Sequence, residues 1–140
     1  MQKILTIAAA ALAAGSVSTT AAAQPQQPTS QSSMRKNLQH HELRNTDREV
    51  FQSEVSLEPG AVFPRHRHPG EEFIYVLKGT WVYQLDGQPP VTLTAGQTLF
   101  IPYGAVHSAR SVGSDTGVEL ATHVVEKGKP LLTLADEVQK

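Results

Sequence analysis

The sequence predicts an all-β domain, a sandwich or a barrel of short strands, and three observations predict it. From residue 50 onward, short apolar stretches recur every eight to twelve residues between turn signals. Nine prolines and ten glycines punctuate the 140 residues, more interruption than long helices tolerate. No stretch of ten residues carries a convincing helical period.

The elements follow in chain order. Residues 51–57 alternate, with Phe51, Val55 and Leu57 on one face and Gln52, Glu54 and Ser56 on the other. Glu58-Pro59-Gly60 ends that run. Residues 73–77 are apolar throughout, the pattern of a strand covered on both faces. Residues 80–85 follow and close on Asp86-Gly87, a strong hairpin signal. Pro89-Pro90 and Gly96 bracket a short strand at 91–93. Residues 99–101 stop at Pro102-Tyr103-Gly104, and 106–112 and 118–125 complete the set. Residues 131–140 read as a C-terminal tail, irregular or with a short helix, because Leu131, Leu134 and Val138 have helical spacing.

The N-terminus reads as an address. Residues 1–23 begin with Lys3, continue in an apolar run over 4–14 and end in Ala21-Ala22-Ala23. That is a secretory signal, too short to span a bilayer. Cleavage after Ala23 sends the protein to a secreted, periplasmic location with no membrane anchor left. Residues 24–36 are rich in Gln, Pro, Thr and Ser and have little to bury, so they read as a disordered linker. The folded domain is placed at 37–130.

Composition excludes several classes of function. A formal net charge of -1 and a pI near 6.6 argue against nucleic-acid binding through a basic surface. The absence of cysteine excludes disulfide frameworks, thiolate metal sites and cysteine nucleophiles. No Gly-x-Ser-x-Gly elbow, phosphate loop or dinucleotide fingerprint is present.

Four polar residues then ask for an explanation: His66, His68, Glu72 and His107. His66 and His68 are two apart, so a strand points both to the same side. Glu72 shares a strand face with Ile74 and Val76, which puts a carboxylate at the rim of a core, and a cation is its natural partner. His107 starts a strand after a Pro-x-Gly turn, which can bring it over the same cavity. Three neutral imidazoles and a carboxylate can fill four positions around a divalent first-row metal and leave two open. Spacing alone leaves a second reading open, a solvated basic turn flanked by Arg65 and Arg67.

The surrounding residues resemble the cupin superfamily, in the form of a small single-domain bacterial cupin. Its first motif, Gly-x5-His-x-His-x3-Glu-x6-Gly, is matched by Gly60, His66, His68, Glu72 and Gly79. Its second, Gly-x5-Pro-x-Gly-x2-His-x3-Asn, is matched by Gly96, Pro102, Gly104 and His107, with Ser111 in place of Asn. The 16 residues 80–95 separate the two motifs, and together they cover about residues 60–111. The resemblance implies a double-stranded β-helix, the jelly-roll barrel. It also implies that His66, His68, Glu72 and His107 hold one divalent metal ion (Fe, Mn, Ni, Cu or Zn).

The function this implies is a metal-dependent, dioxygenase-like oxidoreductase acting on a small organic molecule. Glu72 is its candidate catalytic group, taking a substrate proton when it loosens from the metal. The family also contains lyases, isomerases and binding proteins, so a lyase or isomerase and a non-catalytic metal- or ligand-binding protein stand as alternatives.

Other residues receive expectations of their own. His123 shares a strand face with Glu119, Ala121 and Val125, and is a partly buried strand residue or a pocket-lining proton shuttle. Glu71 points away from Glu72 into solvent. His40-His41-Glu42 reads as surface. Trp81, Tyr83 and Leu85 share a face that packs the core or borders the cavity. Tyr103 is a substrate-contact candidate near the mouth. Phe73, Tyr75 and Leu77 face away from the metal and need a cover, which motivates a homodimer.

Overall fold

The computed structural model describes residues 33–135. The leader at 1–23, the linker up to residue 32 and Val138 lie outside the described residues. Ten strands follow in chain order: β1 (Ser33–Glu42), β2 (Arg48–Leu57), β3 (Val62–Arg67), β4 (Gly70–Lys78), β5 (Thr80–Leu85), β6 (Val91–Thr94), β7 (Thr98–Ile101), β8 (His107–Ser111), β9 (Gly117–Glu126) and β10 (Thr133–Leu134). They form two five-stranded antiparallel sheets, ordered β1-β2-β9-β4-β7 and β10-β3-β8-β5-β6. The chain passes back and forth between the sheets, which makes this a jelly-roll barrel.

Strict alternation drives the packing. In β5 and β9 every second residue is buried. The inward set includes Val55, Leu57, Ile74, Val76, Trp81, Tyr83, Leu85 and Ile101, which meet as one core. Trp81 and Tyr83 stack at 5.8 Å between ring centres. Burying each large side chain of this kind stabilises the fold by about 1.5–3 kcal/mol. Two glycines make room for backbones. A Cβ on Gly70 would lie 2.1 Å from the Val124 carbonyl oxygen, and one on Gly117 would lie 2.7 Å from the Trp81 indole nitrogen.

The structure departs from the sequence expectation at four places. First, the strand over 73–77 is covered on one face only. Phe73, Tyr75 and Leu77 are 49%, 43% and 44% exposed, and Phe100 joins them with its ring 5.2 Å from Phe73. Second, β1 starts at Ser33, inside the span 24–36 read as linker. Its sequence is polar and carries no periodic apolar signal. Backbone pairing along β2, from Ser33–Leu57 to Glu42–Glu49, holds it instead. Third, residues 62–67 form β3, which the strands read above did not include, and Pro64 sits within it. Pro64 lies where the β3–β8 register shifts between Phe63 and His66, a place that needs no ladder hydrogen bond from proline. Fourth, within residues 131–135 of the tail a two-residue strand, β10, pairs with Arg67 and His66.

Candidate metal centre

The strands bring the four predicted residues together and add a fifth. His66, the last residue but one of β3, lies opposite His107, the first residue of β8. His68 follows β3 in the short link to β4, and Glu72 lies inward on β4. On the neighbouring strand β9, the residue facing Glu72 is His123. All five are buried, at 5% exposure or less.

The Glu72 carboxylate is the hub. Its Oε2 lies 3.3 Å from His68 Nε2 and 3.1 Å from His107 Nε2, and its Oε1 lies 3.1 Å from His123 Nε2. The His66 and His107 rings are 4.2 Å apart, and His66 and His68 are 4.8 Å apart. Ligand atoms of His66, His68 and His107 all lie within 4.8 Å of one another, and so do those of His68, Glu72 and His123.

Backbone carbonyls orient three of the imidazoles. His66 Nδ1 donates to Pro64 O at 2.7 Å, His68 Nδ1 to Leu131 O at 2.6 Å, and His107 Nδ1 to Ala105 O at 3.0 Å. A carbonyl only accepts, so each Nδ1 carries the proton and each Nε2 presents a lone pair to the centre. The carbonyl that holds His68 comes from the C-terminal segment, 63 residues away in the chain.

Electrostatics agree with this assignment. Burial, followed by the neighbouring His107, pushes the His66 pKa down to about 3, so that ring is neutral at ordinary pH. Burial alone would raise the Glu72 pKa, but contacts with His107, His123 and His68 outweigh it and hold the carboxyl well below its usual range. His68 Nε2 and Glu72 Oε2 are buried without a hydrogen-bond partner despite their closeness. Lone pairs aimed together with no proton between them suit a cation, and neutral imidazoles with one ionised carboxylate are the donors a divalent first-row ion takes. His123 differs from the other three. It is fully buried, its Nδ1 has no partner, and its Nε2 lies 3.1 Å from Glu72, with the His68 ring 4.4 Å from its own.

A narrow pocket inside the barrel adjoins the centre, with a cavity volume of about 20 Å³, room for about one water molecule. His66, His107 and Glu72 line one end, and Tyr83, Glu119 and Arg35 line the other. Tyr83 donates a hydrogen bond to Glu119 Oε2. Burial, reinforced by the charge of Glu72, pushes the Glu119 pKa up to about 8. Burial beside Glu119 raises that of Tyr83. The alternation of 118–125 had already put Glu119 and His123 on one face, so this inward acid was legible. Arg35 was not, because its strand carries no pattern.

The remaining candidates sort as follows. Glu71 points outward and pairs with Arg48 at 3.3 Å. His40 stacks on Phe51 and contacts Glu49 at 2.7 Å, apart from the centre. The Tyr103 hydroxyl is tied to Glu126, beside a separate surface hollow that includes His68, Arg67 and Lys129. Ser111 is fully buried, and its backbone N–H and C=O hold the turn before β3 through Ala61 and Gly60.

Comparison with known proteins gives three kinds of match. The family described as Cupin domain matches residues 53–125. The dimethylsulfoniopropionate lyase DddQ of Ruegeria pomeroyi is 35% identical over 57 residues, 41% of this chain and 28% of that protein. The polyketide synthase CurC of Streptomyces cyaneus is 38% identical over 66 residues, 46% of this chain and 42% of that protein. The matched stretch is thus less than half the length of either curated relative. Among solved structures, the polyketide cyclase RemF from Streptomyces resistomycificus superposes with a TM-score of 0.58 at 24% identity, covering 75% of this chain and 72% of that one. That likeness shows the shared fold.

Proposed function

The chain belongs to the cupin domain family, and on that premise we propose that it is a metal-dependent enzyme that transforms a small organic molecule by proton-transfer chemistry of the lyase or isomerase kind. The observation that carries this reading is one pocket with two ends. Three Nε2 lone pairs and an ionised carboxylate converge at one end, and a tyrosine hydrogen-bonded to a carboxylic acid stands at the other. A relative named as a lyase supports it at the level of reaction class.

In this reading His66, His68, His107 and Glu72 hold the ion. A bound ion supplies a Lewis acid that polarises a substrate oxygen, and a redox-active one adds electron transfer. The protein does the rest. The carbonyls of Pro64, Leu131 and Ala105 hold the imidazoles in one tautomer. Glu72, kept ionised by its histidines, is the group whose Oε2 would accept a substrate proton. Glu119, whose pKa burial pushes up, is the group that gives a proton back, with Tyr83 fixing its orientation. The apolar walls Val55, Phe63 and Ile74 exclude water.

A second reading keeps the dioxygenase-like oxidoreductase expected from the resemblance, because three nitrogens and one carboxylate suit Fe or Mn as well as Zn. One experiment separates the two. The purified protein is assayed for metal by mass spectrometry, then incubated with small hydroxy acids, diketones and catechols with and without oxygen. Product formation under argon supports the lyase or isomerase reading, and strictly oxygen-dependent turnover supports the second. Stoichiometric metal and ligand binding with no turnover under either condition makes it a binding protein.

Export is part of the proposal and rests on the pattern of residues 1–23. N-terminal sequencing of the periplasmic fraction tests it, with Gln24 the expected first residue.

A further inference from the structure

Beside His68, the end of β3, the turn before β8 and the C-terminal segment border a surface hollow with a cavity volume of about 280 Å³. Arg67, His68, Tyr103, Lys129 and Thr133 are among the residues that line it. We propose that this hollow binds a small dianion between Arg67 and Lys129, and that the bound anion strengthens metal binding by fastening the segment that holds His68. The second half of the proposal rests on the metal-dependent site described above.

Charge singles out the hollow. Arg67 follows the inward His66 on β3, so strand alternation turns it away from the metal centre. Lys129 arrives from the far end of the fold. A turn after β9, with Gly128 at a φ of +71° and Lys129 N–H donating to Glu126 O at 3.4 Å, carries the chain back to pair with β3. Other cations are matched by acids: Arg48 by Glu71 at 3.3 Å, Lys127 by Glu42 at 3.2 Å and Arg65 by Asp86 at 2.5 Å. Among the described residues neither Arg67 nor Lys129 has such a pair, and no acid lines the hollow. The carboxylate of Glu126 is taken by the Tyr103 hydroxyl. Both cations keep their charge throughout the neutral range. Two like charges facing one space repel, and a doubly charged oxyanion between them turns that repulsion into two charge-assisted contacts.

Position couples the hollow to the metal centre. The segment that carries Lys129 also carries Leu131, whose carbonyl accepts from His68 Nδ1 at 2.6 Å. That segment is lightly held. Strand β10 contributes only two residue pairs, Thr133 with Arg67 and Leu134 with His66. An anion bridging Lys129 to Arg67 adds a third tie beside those two. The Leu131 carbonyl then stays where it fixes the His68 tautomer, the kind of support that is worth about 10–100-fold in metal affinity. Linkage requires the metal to strengthen anion binding by the same factor.

Size agrees. The narrow pocket beside Glu72 admits about one water molecule, whereas the hollow has room for a small molecule, at the lower end for ligand sites. An inorganic oxyanion and a short dicarboxylate share the required chemistry.

The test uses the full chain with sulfate and succinate as probes and chloride as the control, all at one ionic strength. Calorimetry on the metal-free protein reads anion binding, and chelator competition reads Mn²⁺ affinity with and without each anion. At least one dianion is expected to bind at least about tenfold tighter than chloride and to raise Mn²⁺ affinity by about fivefold or more. Sulfate as the tighter ligand points to an inorganic oxyanion, and succinate to an organic dicarboxylate. Lys129→Gln, on an exposed turn where folding is not at stake, should weaken the anion by about fivefold or more and remove its effect on Mn²⁺. Arg67→Gln should do the same. Dianions that bind no better than chloride overturn the proposal, as does binding that Lys129→Gln leaves undiminished. A gain in Mn²⁺ affinity that persists in Lys129→Gln overturns the coupling, since the anion then acts on the ion directly, and so does anion binding that leaves Mn²⁺ affinity unmoved. Failure of the metal reading looks different: no Mn²⁺ bound under any condition, with Lys129-dependent anion binding still present.

Discussion

His123 Nε2 lies 3.1 Å from Glu72 Oε1, at facing positions of β9 and β4, while the other Glu72 oxygen is turned to His68 and His107. The carboxylate is thereby fixed between two sets of imidazoles. A carboxylate buried without such partners would cost several kcal/mol or take up a proton. His123 thus acts on the centre through Glu72.

Removing a donor should remove the ion without unfolding the barrel, because none of the donors belongs to the apolar core cluster. His66→Ala and Glu72→Ala are each expected to lower metal affinity by at least about tenfold, on the scale by which even supporting residues act. Mass spectrometry of metal content, with circular dichroism as the folding control, reads this. Full occupancy in both variants contradicts the ligand assignment.

His123→Leu separates anchoring from ligation. The change deletes the Glu72 contact and also removes a buried nitrogen that has no partner. Metal affinity should fall by about 10–100-fold, as for other residues that orient a ligand. The metal-free protein should be no less stable, since a costly orphan group is gone. Chelator competition and urea unfolding measure the two effects. An unchanged metal affinity refutes the anchoring role.

Gly70→Ala should cost about 1–3 kcal/mol, because its Cβ would meet the Val124 carbonyl oxygen at 2.1 Å and two paired strands must move apart. Gly60→Ala is the comparison. It has open space around it but a φ of +77°, so its cost is only backbone strain, about 1 kcal/mol. Thermal unfolding should rank Gly70→Ala below Gly60→Ala.

Stability of the metal-free protein should depend on pH through Glu119. Its folded pKa is raised to about 8 from an ordinary 4.5, so the folded state binds a proton that the unfolded state gives up. Its contribution is fully present below pH 4.5 and is lost as pH rises through about 8. His66 has the opposite sign. Its folded pKa is lowered to about 3 from 6.5, so its contribution is present above pH 6.5 and is lost as pH falls toward about 3. Urea unfolding from pH 5 to 9 should show the alkaline loss, and Glu119→Gln should flatten it. A native protein equally stable at pH 5 and pH 9, alongside an identical variant, contradicts the assignment.

The exposed apolar face of Phe73, Tyr75, Leu77 and Phe100 supports a homodimer. Light scattering at micromolar concentration should give twice the chain mass, and Phe73→Asp should halve it while leaving metal content unchanged. A monomeric native protein ends this reading.

Much of the fold was legible because alternation is a local property. Residues 80–85 are β5 as read, and the parity of Glu72 with Ile74 and Val76 placed all three inside. The same parity turned Phe73, Tyr75 and Leu77 outward, yet an apolar run reads alike whether or not something covers it, so their exposure was not legible. The strand β1 stayed hidden because its partner, and not its own side chains, holds it.

What the sequence by itself determined is the strands β2 and β4 to β9, the inward parity of the longer ones and the candidate donors His66, His68, Glu72 and His107. Only the tertiary structure decided that His123 faces Glu72, that the Leu131 carbonyl orients His68, and that Arg35 reaches the pocket. Each of those three depends on which strands or segments lie side by side. Sheet order joins residues far apart in the chain, and a pattern with a period of two carries no record of it.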